Sequence, residues 1–399
     1  MSNSAWLSII GLGEDGLDGL APASQNALAN AKNIWGTERL IRLLPETSSK
    51  QLHIWPVPFK NGIEKVLKLR GEPTVVLVSG DPFWYGAGTV LSKHLGHGEW
   101  ISIPAPSCFS LAASTLGWAM ETTECLALHA APFPRLRKSL QSGHNLIATV
   151  RDGAAVDKVA RYLTEIGFGS STLHVLESLG GPQARVRKTL AKDYAFNDVR
   201  HPVVVGITAL GTPQIALSTG QDDALFANDG QITKRPVRAL TLSALAPKAG
   251  ELLWDIGGGS GSISIEWLLS HPSTQAIAIE SNPQRADRIA ENAQSLGVDR
   301  LCVINASAPD CLENLTHPDC VFVGGGLSEE MLTFLTTYLH QGTRLVCNAV
   351  TLESEALLAK MSKSLGGELL RIELSHAGAL GAKKGWKAAY PVVQWSVTL

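Results

Sequence analysis

The segment at residues 252–261, LLWDIGGGSG, joins an apolar strand to a glycine-rich turn through an acidic residue, Asp255. Glycines let the backbone bend sharply and let a ligand approach without meeting a Cβ atom. An apolar helix is predicted to follow over residues 263–269. At the end of the strand, Asp255 is placed to shape the loop and to hold the charged amino-acid end of a ligand. The segment therefore predicts a nucleotide-type site.

Glu280 is the second acidic residue with a defined place, because it closes the next predicted strand, 25 residues after Asp255. A carboxylate at that position can accept hydrogen bonds from both hydroxyls of a ribose. The loop spacing is G-x-G-x-G, not the G-x-G-x-x-G of dinucleotide dehydrogenases, and this favours S-adenosylmethionine over NAD. For Glu280 taken alone, an ordinary turn acid is the alternative.

A second pair of strand ends lies in the first half of the chain. Residues 76–86, VLVSGDPFWYG, indicate a buried strand that ends in a Gly-Asp-Pro turn, and residues 10–16, IGLGEDG, indicate another strand-to-glycine turn. Residues 10–16 are weak evidence when taken alone, because such loops are frequent, and Asp81 alone is also compatible with a simple turn. His129 is interpreted as a structural histidine rather than a base.

The elements that position these residues alternate between apolar strands and helical patterns, which predicts α/β architecture. Residues 283–296 form a clear amphipathic pattern. Between residues 208 and 235 the chain is rich in Gly, Pro, Asp, Asn and Thr, which is typical of a connection. Without an internal repeat, we expect two different domains over residues 1–210 and 230–399, joined by a linker over 211–229.

Composition narrows the classes of function. The chain has 399 residues and a formal net charge of -2, without the basic surface that nucleic acid requires. It has neither a basic segment before an apolar stretch at its start nor an apolar run long enough for a membrane. Six scattered cysteines without a C-x-x-C pair favour buried thiols over a metal site. We therefore expect a cytoplasmic protein without a metal centre.

Longer motifs give the second half a family resemblance. The stretches at 229–235 (DGQITKR), 318–326 (PDCVFVGGG) and 348–355 (NAVTLESE) surround the loop at 255–261. With it they resemble the C15-methylating, decarboxylating domain of the precorrin-6Y methyltransferase family. The resemblance implies a Rossmann-like class I fold of seven strands, the last antiparallel. It implies contacts to S-adenosylmethionine from Thr233, Asp255, Gly257, Gly258, Gly259, Ser260, Gly261, Glu280 and Ala308.

By position in that fold, the substrate pocket should be lined by Gly324, Gly325, Gly326, Asn348 and Thr351. Glu353 and Glu355 are interpreted either as the acidic first turn of a helix or as catalytic groups. At Ala306-Ser307 the chain departs from the Gly-Asp of the family, which removes an acid that could contact adenine.

The first half resembles the tetrapyrrole methylases, the class III methyltransferases, through its Gly-Asp-Pro turn and residues 104–112 (PAPSCFSLA). In that family the methyl donor lies in a cleft between two α/β subdomains. Further segments, at 167–169 (GFG) and 177–182 (ESLGGP), narrow the resemblance to the C5-methylating domain of the same corrin enzymes. The cleft is then expected to be lined by Gly80, Asp81, Pro82, Phe83, Gly86 and Ser107.

The two resemblances together imply a bifunctional enzyme of cobalamin biosynthesis with S-adenosylmethionine as its cofactor. It would methylate precorrin-6Y, or a cobalt-containing counterpart, at C5 and C15 and release CO2 from the ring C acetate, giving precorrin-8X. By analogy it would be a homo-oligomer. Methylation of RNA or protein, and a cofactor-binding module without catalysis, are the alternatives.

Two features concern how the substrate carboxylates are held. After His129 the family has Gly-Arg, and this chain has Ala130-Ala131. Arg135, Arg137 and Lys138 follow closely and are candidates to replace the missing arginine, which would pair with a carboxylate, with a solvated helix face as the alternative. In the second half, Lys234, Arg235 and Arg238 are candidates, with a surface role as the alternative.

Overall fold

The computed structural model describes residues 5–45 and 50–399. It divides the chain into two compact units. The first unit comprises Met1–Phe133 and Ser139–Pro213, and the second comprises Pro134–Lys138 and Gln214–Leu399. Within the described ranges, no helix is both long enough and apolar enough to cross a membrane.

The first unit contains ten strands and six helices among its described residues. The strands are β1 Leu7–Leu12, β2 Asn33–Gly36, β3 Gln51–Ile54, β4 Thr74–Ser79, β5 Trp100–Ile103, β6 Thr123–Ala127, β7 Asn145–Thr149, β8 Thr172–Glu177, β9 Arg185–Leu190 and β10 Val203–Thr208. The helices are α1 Pro22–Asn30, α2 Glu38–Arg42, α3 Lys60–Leu67, α4 Gly88–Leu91, α5 Cys108–Leu116 and α6 Gly153–Glu165.

Two five-stranded sheets form the first unit. The first is entirely parallel, in the order β3-β2-β4-β1-β5, and the β-branched residues of β4 are buried on both faces. The second has the order β6-β7-β10-β8-β9, in which only β6 and β7 are parallel. Because β1, β2 and β4 are parallel neighbours, their carboxyl ends meet at one edge of the first sheet, where ligands bind in open α/β sheets.

The second unit contains nine strands and five helices. The strands are β11 Leu252–Ile256, β12 Gln275–Glu280, β13 Cys302–Asn305, β14 Cys320–Val323, β15 Arg344–Ala349, β16 Glu368–Ile372, β17 Ser375–Leu380, β18 Lys383–Ala388 and β19 Val392–Thr398. The helices are α7 Arg235–Leu245, α8 Ser262–Ser270, α9 Pro283–Ser295, α10 Glu329–Tyr338 and α11 Leu352–Leu365.

A seven-stranded sheet in the order β13-β12-β11-β14-β15-β19-β16 forms the centre of the second unit. The last strand, β19, is antiparallel to both of its neighbours. Successive residues of β11 point to opposite faces, so that Leu253 packs with α7 and α8 while Trp254 packs with α10 and α11. Helices therefore cover both faces, and the carboxyl ends of β11, β12 and β14 open to one side.

Three of the strands have weak sequence patterns. Strand β9, RVRKTL, contains three charged residues among its apolar ones. Strands β17 and β18 form an exposed hairpin that is rich in glycine and lysine and has no buried apolar face. The amphipathic pattern over residues 283–296 is a helix, α9, and Glu353 and Glu355 lie in the first turn of α11. Of the predicted linker 211–229, the part from Gln214 onward belongs to the second unit and includes only a short 3-10 turn, Asp223–Leu225.

Candidate functional site

The second unit has a cavity of about 730 Å³ at the carboxyl ends of β11, β12 and β14. The chain folds this way locally because the glycine loop needs backbone conformations that other residues avoid. Gly257, Gly259 and Gly261 all have positive φ, at 73°, 60° and 75°. The amide N–H groups of Gly257 and Gly258 donate to the carbonyl of Ile279, which fixes the loop against the end of β12.

Asp255 lies at the floor of this cavity and is 1% exposed. Its Oδ2 accepts hydrogen bonds from the backbone N–H and the hydroxyl of Ser264, the former at 3.1 Å. Its Oδ1 is buried and, within the described residues, accepts no hydrogen bond. Burial raises the pKa of Asp255 to about 6, with a smaller contribution from the nearby Glu280 carboxylate. A buried acceptor without a donor is costly, so this oxygen suits a cationic or hydrogen-bonding ligand group.

Glu280 ends β12 and is 5% exposed. Its Oε2 accepts the N–H of Gly259 at 2.9 Å, and its Oε1 accepts the N–H of Asn282 at 2.9 Å. These bonds orient the carboxylate toward the cavity while leaving acceptor capacity on both oxygens, since an ionised carboxylate has about four acceptor sites. The geometry suits a pair of adjacent hydroxyl groups.

The segment Asp229–Lys234, which we call the strap, forms one wall of the cavity. At one end, Asp229 pairs with Arg285 at 2.9 Å and Arg288 at 3.2 Å, and these partners hold the pKa of Asp229 well below its usual range. At the other end, the carbonyl of Thr233 accepts from the guanidinium of Arg238. The strap is therefore tied to α9 and to α7.

Arg238 has neither the pocket role nor the surface role expected from the sequence. It is 0% exposed, and its Nε donates to Glu266 at 2.5 Å. Its other groups donate to Asp223 and to the carbonyl of Gln221. Glu266 lies on α8, which is buried on all sides, and a buried carboxylate there requires a cation. Arg235 does not line the cavity, whereas Lys234 does.

Most residues predicted for this site meet in the cavity. They are Thr233, Asp255, Gly257, Gly258, Gly259, Glu280, Ala308, Gly324, Gly325, Gly326 and Asn348. Three predicted residues lie outside its lining. Ser260 is buried, and Gly261 faces the interior of the unit, where an added Cβ would lie 2.7 Å from the side chain of Ile289. Thr351 caps α11, because its hydroxyl accepts the N–H of Ser354.

Several lining residues escaped sequence analysis. The strap contributes Gln231 and Ile232, α9 contributes Arg285, and the hairpin region contributes His376 and Tyr390. The hairpin residues come from an exposed segment without a motif, so only the folded chain brings them to the cavity. Among residues 5–45 and 50–399, no group of three His, Cys, Asp or Glu side chains could hold a metal ion.

The loop geometry leads to a prediction for Gly257→Ala. A Cβ at Gly257 would lie 2.7 Å from the Cα and backbone N of Gly325, and the residue has a φ of 73°. The substitution should push the two loops apart and weaken binding of S-adenosylmethionine, the ligand that the sequence predicts for this cavity, at least about tenfold, in line with a local cost of roughly 1–3 kcal/mol. Titration calorimetry on the whole chain measures this affinity.

Gly250→Ala is the matched control, because Gly250 has a φ of 86° but a Cβ there would meet nothing within 4 Å. It should share the backbone strain and keep the affinity. Equal losses in the two variants would contradict the role given to the contact between the loops.

The first unit has a cavity of about 490 Å³ between its two sheets. The ends of β1 and β4 line one side through Gly13, Glu14 and Ser79, and residues of β8 and β10 line the other. Arg39 from α2 also reaches it, and Trp84 and Tyr85 contribute aromatic surface. The cavity thus combines a largely apolar wall with a small polar edge.

Of the residues predicted for this cleft, Gly80 and Gly86 line the cavity, whereas Asp81, Pro82, Phe83 and Ser107 do not. Asp81 is a turn aspartate whose Oδ1 accepts the N–H of Phe83 at 2.7 Å. Phe83 packs against Trp100, and Ser107 caps α5 by accepting the N–H of Ser110. These four residues shape the turns around the cleft, and the side chains facing it come from their neighbours.

The cationic residues proposed to replace the family arginine do not line this cavity. Arg135 belongs to the second unit and pairs with Asp299 at 2.8 Å. Arg137 is 9% exposed. By contrast, His129, interpreted from the sequence as structural, is exposed and lines the cavity.

Comparison with known proteins gives two family matches. Residues 7–195 match the family model described as Tetrapyrrole (Corrin/Porphyrin) Methylases, and residues 224–399 match the Precorrin methyltransferase domain. The chain is therefore an α/β methyltransferase composed of these two domains.

Curated relatives extend over both domains. A Sinorhizobium sp precorrin-6Y C(5,15)-methyltransferase [decarboxylating] is 44% identical over 99% of this chain and 97% of its own length. One of the same name from Mycobacterium tuberculosis (strain CDC 1551 / Oshkosh) is 38% identical over 98% of this chain and 99% of its own. A crystal structure of the C-terminal domain of precorrin-6Y C5,15-methyltransferase from Rhodobacter capsulatus is 47% identical, covering 46% of this chain and 100% of that one, with a TM-score of 0.45. The chain belongs to the family of precorrin-6Y C(5,15)-methyltransferases (decarboxylating).

Proposed function

We propose that the chain uses S-adenosylmethionine in both units to methylate precorrin-6Y at C5 and C15, and that it releases the carboxylate of the ring C acetate as CO2 to give precorrin-8X. The first unit would methylate C5. The second, a Rossmann-like class I domain, would methylate C15 and remove the acetate carboxylate. The observation that carries the proposal is the pair of buried carboxylates, Asp255 and Glu280, on either side of a glycine loop in the second cavity.

The second cavity fits the donor molecule in three places. The unpartnered Oδ1 of Asp255 would accept from the ammonium of the methionine part. Glu280 would accept from the two ribose hydroxyls, since its present partners leave lone pairs on both oxygens. Gly257 and Gly259 would let the ligand lie directly on the backbone. S-adenosylmethionine supplies a methyl group on a sulfonium sulfur, which is already strongly electrophilic.

The protein's part in methylation is to align the nucleophilic carbon with the methyl group and to exclude water. Gly324, Gly325 and Gly326 leave room beside the glycine loop for a large, flat substrate. Asn348 is held firmly at the same edge, because its Nδ2 donates to Thr241 at 2.9 Å and its Oδ1 accepts from Gln394 at 2.9 Å. A fixed amide of this kind can define the plane in which the macrocycle lies.

Loss of CO2 breaks the bond between the acetate CH2 and its carboxylate, and the electron pair passes into the conjugated macrocycle. A proton then completes the new methyl group. Lys234 lines the cavity, and its ammonium makes no hydrogen bond or ion pair with the described residues. It is therefore available to bind either the carboxylate that leaves as CO2 or a neighbouring carboxylate of the substrate.

A shorter relative supports the assignment of the two methylations to different units. The cobalt-precorrin-6B C(15)-methyltransferase (decarboxylating) of Salmonella typhimurium is 33% identical over 43% of this chain and 91% of its own length. Its name joins C15 methylation to decarboxylation in a protein that matches less than half of this chain. We assign that pair of reactions to the second unit, because that unit has the glycine loop and the two carboxylates.

The test is to incubate the whole chain with precorrin-6Y and S-adenosylmethionine carrying a 13C-labelled methyl group. The expected product has gained two methyl groups and lost one CO2 by mass spectrometry, with labelled carbon at C5 and C15 by NMR. No mass change, with the donor still bound in calorimetry, would exclude precorrin-6Y as the substrate. Labelled carbon at positions other than C5 and C15 would contradict the proposed sites of methylation.

A further inference from the structure

The first cavity is poor in cations for a site that would take a substrate with several carboxylates. Among the described residues that line it, Arg39 is the one side chain with a permanent positive charge. Glu14 is the one carboxylate, and His129 and His201 are the other titratable bases. A carboxylate that enters this cavity therefore has a single strong partner available.

Arg39 lies where such a partner would be effective. It is carried by α2 after the end of β2, while Glu14 follows β1 and Ser79 ends β4. Because β2, β4 and β1 are adjacent and parallel, the three side chains meet at the carboxyl edge of one sheet. The guanidinium of Arg39 pairs with Glu14, and its Nη2 donates to the Ser79 hydroxyl at 2.6 Å.

The guanidinium is partly removed from water and still has donors to spare. The Arg39 side chain is 27% exposed, and burial lowers its pKa, although an arginine stays protonated under all physiological conditions. Of its five N–H groups, two have partners, and Nε has none among the described residues. A planar group with free donors in a half-buried position is suited to bidentate binding of a carboxylate.

Resting on the proposed function, we infer that Arg39 binds a carboxylate of the tetrapyrrole during C5 methylation and that Glu14 holds the guanidinium in place until the substrate arrives. The substrate carboxylate then binds the free donors, including Nε, and competes with the Glu14 carboxylate for the positive charge of the guanidinium. This gives the first unit the carboxylate-binding arginine that Ala130-Ala131 cannot supply.

If Arg39 and Glu14 formed only a structural ion pair, neutralising either residue would change the KM in the same direction. The inference predicts opposite changes in KM for the two variants. Arg39→Gln removes the cation and should raise the KM for precorrin-6Y in C5 methylation about 100-fold, the typical effect of losing a half-buried charged partner. Glu14→Gln removes the competitor and should lower that KM. Arg39→Lys keeps the charge without the planar fork and should give an intermediate KM.

The assay uses the whole chain and follows labelled methyl at C5 by NMR, with CO2 release as an internal measure of the second unit. Arg42→Gln is the matched control, because Arg42 lies on the same helix and its side chain is 76% exposed in an ion pair with Glu38. It should leave the KM unchanged.

Equal increases in KM for Arg39→Gln and Glu14→Gln would show that the pair only supports the fold and would overturn the inference. An unchanged KM in Arg39→Gln would overturn it as well. Failure of the unsubstituted chain to methylate C5 is a different result, since it would contradict the proposed function itself.

Discussion

Replacement of Glu280 by alanine should abolish CO2 release by the whole chain and leave one binding site for S-adenosylmethionine in place of two. The substitution would remove the two bonds proposed between ribose hydroxyls and this carboxylate, each charge-assisted and contributing roughly 1.5–3 kcal/mol. It would also lose its bonds to the N–H groups of Gly259 and Asn282, which fix the loop. We therefore expect the affinity of the second cavity to fall at least about 100-fold.

Calorimetry gives the number of sites, and trapping of labelled CO2 gives the activity of the second unit whatever the order of the two methylations. Glu291→Ala is the control, because Glu291 is an exposed acid on α9, in the same unit. Two-site binding and normal CO2 release in Glu280→Ala would contradict the role given to this carboxylate.

The second cavity was largely predictable from the sequence, because its chemistry lies at the ends of strands with strong patterns. Glu280 ends a buried apolar strand, Asp255 is the last residue but one of another, and the glycines after β11 signal the turn. Parallel strands bring such ends together without further information. What the pattern could not give is which loop residues face inward, and for that reason it did not separate Ser260, Gly261 and Thr351, which lie outside the cavity lining, from the residues that form it.

The first cavity was less predictable, since its polar edge is assembled from three separate strand ends. Glu14 and Ser79 lie within the two strand-to-glycine segments, but the sequence did not distinguish them from their neighbours, and Arg39 belongs to no motif. The Gly-Asp-Pro turn was visible, but Asp81 serves the turn itself. Side-chain direction in a turn depends on local hydrogen bonds that a one-dimensional pattern does not contain.

Arg238 shows a further limit of prediction from sequence. A cationic residue beside a binding motif is easily taken for a ligand-binding residue unless its burial is known. It contacts Glu266, Asp223 and the backbone of residues 221 and 233, and its guanidinium lies 4.8 Å from the centre of the Phe226 ring. Glu266 in turn accepts the N–H groups of Gly220 and Gln221 at 2.7 and 2.8 Å. The pair therefore joins α7, α8 and the irregular segment before the strap.

Breaking this pair should strongly destabilise the second unit. Glu266→Gln leaves the Arg238 charge buried without its main partner, which typically costs about 3–5 kcal/mol. For a unit of this size, that corresponds to a fall of roughly 10 °C in the melting transition of the second unit, measured by scanning calorimetry on the whole chain. Glu329→Gln removes an ion pair whose side chains are 65% and 71% exposed, and it should change the melting temperature by about 1 °C or less.

The double variant Arg238→Met with Glu266→Gln distinguishes a lost charge partner from lost packing. If the cost comes from an uncompensated buried charge, removing both charges should recover part of the stability lost by Glu266→Gln alone. Affinity for S-adenosylmethionine should stay reduced, because Arg238 no longer donates to the carbonyl of Thr233 and the strap loses that tie. Recovery of stability together with full affinity would mean that the strap is held by Asp229 and α9 alone, and additive losses would mean that the buried charges are not coupled.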